Sequence, residues 1–316
     1  MARQKWSRQR MSHHLGAESA PNSRPAPQLL DGDLPDLHDG ADRASLDGQN
    51  QFISATRVKL GAAILAATLS AIIKPGPLEK MLAFAVGIAF LVVFVAEAWV
   101  WATNPVRAWY DGRALAESAK TMAWRYSVGA EPYPIQDDTS TSRLVTDLSA
   151  LLSDAPDTEI HPSSKDPISL AMRELRAAPL EQRRTVFLRD RINQQRSWYS
   201  NKASISRARA RQWRFGLLVA EAMGIAFAFA RAFGATDIDL AGIAAGLVGA
   251  GAAWLGIRQH DSIRRAYTFA SHELAIAGER LKAIDDEATW AQVAADAEEA
   301  ISREHTMWRA SRSSTA

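Results

Sequence analysis

No cysteine occurs among the 316 residues. Disulfides, thiol catalysis and cysteine-ligated zinc are therefore excluded, while the compartment stays open. An excess of one charge is missing as well. Thirty-seven Lys and Arg stand against 35 Asp and Glu, a net of +2, so the basic character of a nucleic-acid binder is lacking and no nucleic-acid partner is expected. The common catalytic signatures are absent too: there is no glycine-rich loop leading to Lys-Ser or Lys-Thr, no His-Glu-x-x-His and no Gly-x-Ser-x-Gly. Enzymatic function has no residue to rest on, and no cofactor is implied. His13-His14, in a polar tail, and His260, His272 and His305, scattered on charged stretches, read as solvated rather than as metal ligands.

What is present is apolar sequence gathered into blocks. A mean hydropathy of -0.17 suits a soluble protein, but four stretches break that average: Val58–Ile73, Met81–Ala102, Phe215–Phe233 and Leu240–Ile257. Crossing a hydrocarbon core takes roughly 20 apolar residues in a helix. The last three blocks meet or approach that length. The first is short, and Lys59 and Lys74 extend it by snorkelling. Lys74-Pro75-Gly76-Pro77 joins one pair and Gly234-Ala235-Thr236-Asp237 the other, connectors so tight that each pair must be an antiparallel hairpin. The fold class expected is an all-α integral membrane protein, with four transmembrane helices as two tandem hairpins and long cytoplasmic helices forming a bundle. Gly249-Ala250-Gly251 lies inside a span with no preceding strand, so these glycines and Gly242-x-x-x-Gly246 read as helix-packing positions rather than a nucleotide loop.

Cations flank the spans on one side: Arg57 and Lys59, Arg107 and Arg113, Arg207 to Arg214, and Arg258 to Arg265. The positive-inside rule then places both termini and the middle segment in the cytoplasm. Trp99, Trp101, Trp109, Trp213 and Trp254 lie near that boundary as an aromatic belt would. The first thirty residues hold no apolar core of a signal peptide, so the first span is expected to act as the targeting signal. The second hairpin begins about 157 residues after the first, in the same orientation, as a parallel duplication.

Residues 1–40 carry no apolar periodicity and read as a disordered tail. Residues 41–134 form a first two-span unit, whose last helix should end near Gly129. Residues 135–179 read as a linker with short helices, 180–310 as a second two-span unit, and 311–316 as a disordered end. From Leu180 a single long helix is expected to run into the third span, and a break is expected near Asp285-Asp286.

Two acids sit inside spans: Glu97 near the inner end of the second, and Glu221 about two turns into the third. A charge at mid-bilayer costs about 2.5–3.5 kcal/mol, so such residues face a polar partner or a wet path. One reading is an acidic ring in an oligomeric, cation-favouring pore. The other is that Glu97 snorkels and Glu221 pairs with Arg214 or a hydroxyl. A second cluster, Trp109, Tyr110, Arg113, Glu117, Lys120, Trp124, Arg125 and Tyr126, reads either as a site for lipid headgroups or an anionic nucleotide, or as plain packing of a juxtamembrane helix.

The stretch Trp109–Tyr133, with ADRASLDGQNQFI before the first span, resembles the SLATT domains, the SMODS- and SLOG-associating two-TM effector domains. Phe187–Phe215 with its following hairpin resembles a second SLATT type, the likeness resting on Arg191, Gln195, Trp198-Tyr199 and Lys202-Ala203. The resemblance implies a bacterial inner-membrane effector of conflict systems, associated with proteins that make or sense nucleotide signals and proposed to form pores. No nucleotide synthase or sensor is recognisable in this chain, so its trigger would come from a neighbouring protein or a bound ligand. Beyond the lipid bilayer, the partner expected is a second copy of the chain, since two hairpins line a conduit only by association. A non-conducting scaffold that recruits a soluble partner is the alternative, and a secondary transporter ranks behind it.

Overall fold

The computed structural model describes residues 28–155, 160–162 and 164–313, with side chains as far as Ser302. Ten α-helices occur among the described residues, and no strand. Helix α1 (Asp36–Ile72) is a single rod that runs from outside the membrane through the first span. Helix α2 (Glu79–Thr103) returns, and α3 (Pro105–Val128) continues out of the membrane alongside α1. Short helices α4 (Ser140–Ser153), α5 (Leu170–Ala177) and α6 (Leu180–Val186) follow. A π-helical stretch, Phe187–Asn193, then leads without interruption into α7 (Gln194–Ala232). Helix α8 (Leu240–Arg258) returns, α9 (His260–Lys282) lies against the lower part of α7, and α10 (Glu287–Ser313) folds back on α9 and α3.

The two halves repeat one plan: an unbroken outgoing helix and a jointed returning pair. Both joints sit on a non-glycine residue in the left-handed region, Asn104 at φ 43° and Gln259 at φ 45°. In each case the break falls where the apolar span ends and the charged helix begins. Pro105 at the start of α3 has no N–H to contribute to a continuous helix, which fixes the break on that side. Gly129, at φ 74°, closes α3 where the sequence places its end.

Within the membrane the helices contact one another in the order α2, α1, α8, α7. Small residues set the spacing. A Cβ on Gly246 would lie 3.1 Å from that of Ala67 on α1, and one on Gly251 would meet the Leu217 side chain of α7 at 2.6 Å. The expectation that all these glycines serve packing needs correcting at two of them. Gly242 sits against Asp239, whose Oδ1 accepts its N–H at 3.1 Å and caps α8, and Gly249 faces open space. The hairpin tips are joined by Lys74 and Asp237 at 3.7 Å, and Arg231 pairs with Asp239 at 3.0 Å.

Outside the membrane, α1 and α3 approach until their backbones nearly touch. A Cβ on Gly48 would fall 2.7 Å from both the Pro105 carbonyl and the Trp109 nitrogen, and one on Gly112 would be 2.9 Å from the Ala41 carbonyl. Ser45 Oγ donates to the Trp109 carbonyl at 2.9 Å. The residues before the first span are thus a ladder of small side chains matched to a second ladder on α3.

The reading of residues 1–40 as a disordered tail is corrected over residues 28–40. Residues 28–40 form a short 3-10 turn (Asp31–Asp33) and the start of α1, because Leu29 and Leu34 are buried in the core. Residues 135–179, expected as a linker with short helices, carry the short helices α4 and α5, which lend Leu144, Leu148, Met172 and Leu175 to the same core. Helix α10 reaches Ser313, past residue 310. Residues 1–27, with His13-His14, and residues 314–316 lie outside the described residues, as do the side chains of His305 and Trp308.

Candidate functional site

The membrane acids part company. Glu97 is met by Lys59 across the α1–α2 pair, so that span carries a neutralised couple rather than a snorkelling acid. Glu221 is exposed on the outer surface of α7, and among the described residues no side chain pairs with it. Arg214, one of the partners offered for it, instead binds Asp261 at the head of α9. The expected pairing of Arg214 with Glu221 is thus corrected: the two lie about two turns apart along α7, and the start of the neighbouring helix supplies Arg214 with a nearer carboxylate.

The aromatic and charged cluster of α3 is used up by packing. Trp109 stacks on Tyr110 with ring centres 5.0 Å apart and lies 6.4 Å from Phe52, which places it in the α1–α3 contact rather than in a lipid-facing belt. Arg113 pairs with Glu117 at 2.8 Å, and Lys120 with Asp31 at 2.6 Å. Burial works to raise the Asp31 carboxyl, but the Lys120 ammonium outweighs it and holds the acid below its ordinary range. Trp124 is buried against Phe187, Arg125 donates to the Ala295 carbonyl at 3.1 Å, and the Tyr126 hydroxyl meets Thr141 at 3.0 Å. No open ligand site is left there.

The second motif divides in two. Arg191 is buried and forms a two-pronged pair with Glu298 of α10, both contacts 2.8 Å. Burial acts to strip the guanidinium of its proton, and the Glu298 charge more than offsets this. The π-helical winding explains the placement: with more than four residues per turn, Phe187, Arg191 and Ile192 all fall on the inner side. Tyr199 is buried, 5.3 Å from Tyr267, while the Lys202 ammonium lies 5.6 Å over the Trp198 ring. Burial first, then the charge of Arg209, pushes Lys202 below the ordinary lysine range. Gln195 is half-buried on the same helix.

Arg183 and Trp290, the latter a position of an apolar helix face in the sequence, tie the two halves together, and Arg176 braces the first half. Arg183, almost wholly buried, donates to the carbonyls of Val128 (2.6 Å) and Ala178 (2.9 Å) and pairs with Glu287. Trp290 Nε1 donates to the same Val128 carbonyl at 2.8 Å, so the buried last carbonyl of α3 is satisfied from both sides. Arg176 spreads over three carbonyls, those of Tyr126, Tyr133 and Pro134, each at 2.8 Å, and rests 4.6 Å above the Tyr126 ring. A buried arginine leaves no hydropathy signal, which is why Arg183 is silent in the sequence.

A groove of about 760 Å³ runs between the lower part of α7 and α9. Its α7 wall is a stripe at three- and four-residue spacing from Asn193 to Arg207, and its α9 wall runs from Arg264 to Ala275. A smaller cavity of about 520 Å³ adjoins it, shares Arg207 and Arg264, and is lined as well by Phe215 and Leu218 of the third span.

Comparison with protein families places two models end to end on the chain. Residues 35–184 match SMODS and SLOG-associating 2TM effector domain 3, and residues 187–308 match SMODS and SLOG-associating 2TM effector domain 1. The chain belongs to the SLATT family. It carries two tandem SLATT domains of different types, effector domains associated with conflict systems. The seam between the matches falls where the π-helical stretch begins. The first SLATT match includes α4 and α5, in keeping with their packing against α3. Among curated proteins and solved structures, none matches the chain.

Proposed function

We propose that this SLATT protein is a bacterial inner-membrane effector whose copies associate around α7 to form a gated, cation-favouring path, and that it acts without enzymatic chemistry. The observation that carries the reading is Glu221, an exposed carboxylate within a span that no described side chain pairs. A bare charge against hydrocarbon is unfavourable, whereas a ring of such acids from several copies can face water. The contact order α2, α1, α8, α7 leaves Glu221 on a helix at one end of the row, where another copy has access.

The flanking cations support an arrangement with both termini in the cytoplasm. The signal then reaches the bundle of α3–α6, α9 and α10, from a neighbouring protein that makes or senses a nucleotide. A ligand or partner opens the path only by binding the open arrangement better than the closed one.

Reconstitution into liposomes with a potential-sensitive dye tests the reading. Cation flux that Glu221→Gln abolishes and Glu97→Gln alters little is the expected result. Membranes that stay tight under every activating condition, with the protein still recruiting a soluble partner, would replace the pore by the scaffold.

A further inference from the structure

The groove between α7 and α9 is lined by three guanidinium groups, Arg196, Arg207 and Arg264, and the imidazole of His272, with no carboxylate and no aromatic ring among its lining residues. Among the described residues none of the three arginines takes part in an ion pair. By contrast, Arg183, Arg184, Arg189 and Arg191 at the root of the same continuous helix, and Arg214 above the groove, each hold an acid. Like charges collected in a concave surface reinforce one another's field and draw in an anion.

The side chains between the cations are short. Ser197, Ser200, Ser204, Thr268 and Ser271 keep the floor open and bring hydroxyl groups to it. The helices run antiparallel, and Ser271 Oγ donates to the Arg196 carbonyl at 3.5 Å, which sets His272 level with Arg196 and leaves Arg264 beside Arg207. The groove therefore has two basic poles, separated along α7 by eleven residues, about 16 Å. Guanidinium groups bind phosphate oxygens in pairs, and hydroxyls bind polar substituents. The lack of an aromatic ring removes the usual platform for a base.

We propose that this groove binds a phosphate group carried on a polar, hydroxyl-bearing body. The adjoining cavity, with Phe215, Leu218 and Asp261, whose carboxylate Arg214 already holds, beside Arg207 and Arg264, opens the upper pole toward the bilayer. The phosphate has two possible sources, a soluble phosphorylated small molecule or the headgroup of an anionic phospholipid. The proposal goes beyond the permeation reading and is tested without any measurement of conductance.

The test uses the full chain in nanodiscs, of phosphatidylcholine alone or mixed with phosphatidylglycerol, titrated with inorganic pyrophosphate by calorimetry. Co-purified lipid is counted by native mass spectrometry. Pyrophosphate should bind in phosphatidylcholine discs, and Arg207→Gln and Arg264→Gln, which share one pole, should each weaken it about tenfold, the loss of one charge-assisted contact, with a smaller loss for Arg196→Gln at the far pole. Arg173→Gln, on the exposed side of α5, should leave it unchanged.

Equal affinity in both disc types assigns the groove to the soluble source. Pyrophosphate excluded by phosphatidylglycerol, together with retained lipid that falls in Arg207→Gln and Arg264→Gln, assigns it to the headgroup. The proposal is overturned if neither pyrophosphate nor phosphatidylglycerol is held. It is equally overturned if Arg173→Gln weakens binding as much as the groove variants do. Arg196 and Arg207 are exposed, so these variants leave the core intact, and an unchanged melting temperature verifies that.

Discussion

Arg191 and Glu298 face each other deep in the bundle outside the membrane, 2 % and 0 % exposed, joined by Nε–Oε1 and Nη2–Oε2 contacts of 2.8 Å. They connect the start of the second SLATT domain to its last helix. Removing one partner strands a buried charge and costs about 3–5 kcal/mol, whereas replacing both with apolar groups is far milder. Arg191→Met and Glu298→Gln should each lower the melting temperature of the detergent-solubilised protein sharply. The double variant Arg191→Met with Glu298→Leu should recover most of that loss.

The close approach of α1 to α3 depends on two missing side chains. Gly48→Val would drive a Cβ into backbone atoms of Pro105 and Trp109, which cannot yield as a flexible side chain would. Overpacking of this kind costs about 1–3 kcal/mol. Gly61→Ala, at a site with nothing within 4 Å, should leave stability near that of the native chain. Comparing the two by thermal melting separates close packing from a general intolerance of α1 to substitution.

Arg176 satisfies three carbonyls with one planar fork. A lysine carries the charge but cannot span that arrangement or lie flat on Tyr126. Arg176→Lys should destabilise by about 2–3 kcal/mol, the loss of two charge-assisted hydrogen bonds partly replaced by water. Hydrogen exchange should quicken at the C-terminal end of α3 before it does elsewhere.

His260, which the sequence reading took as solvated, is instead buried at the head of α9, and burial, then the charges of Arg258 and Arg209, push it below its ordinary value. At pH well above 6.5 the imidazole is neutral folded or unfolded, and the group contributes no pH dependence. As the pH falls through the unfolded value, the unfolded chain takes up the proton first and the fold loses stability, until the depressed folded value is reached. Melting temperature should therefore fall as the pH drops through about 6.5, and His260→Gln should flatten that part of the profile.

The sequence was most informative where one physical quantity dominates. Apolar length located the spans around Val58, Met81, Phe215 and Leu240, and Gly129 marked the end of α3 because a left-handed residue is needed there. Long-range polar contacts were much less legible. Lys59 and Glu97 are 38 positions apart, and only the α1–α2 hairpin brings them together. The buried ends of Arg183 and Arg191 look in sequence like any exposed arginine. The stripe from Asn193 to Arg207 was present as a polar period within a helix, but a period does not reveal that a second polar stripe on α9 faces it. Leu29 and Leu34, isolated in a polar stretch, gave no period at all, although each is buried.

In both halves the outgoing helix is unbroken and the returning one is jointed at Asn104 or Gln259. The continuous path from Leu180 to Ala232 covers 53 residues, about 80 Å of one stiff beam with its far end in lipid. A force applied at the root of such a beam arrives at its tip as tilt or rotation, with no elbow on the way to absorb it. The jointed limbs give at the membrane border instead. Every copy of the chain is thereby equipped with two levers and two pivots, set at matching heights.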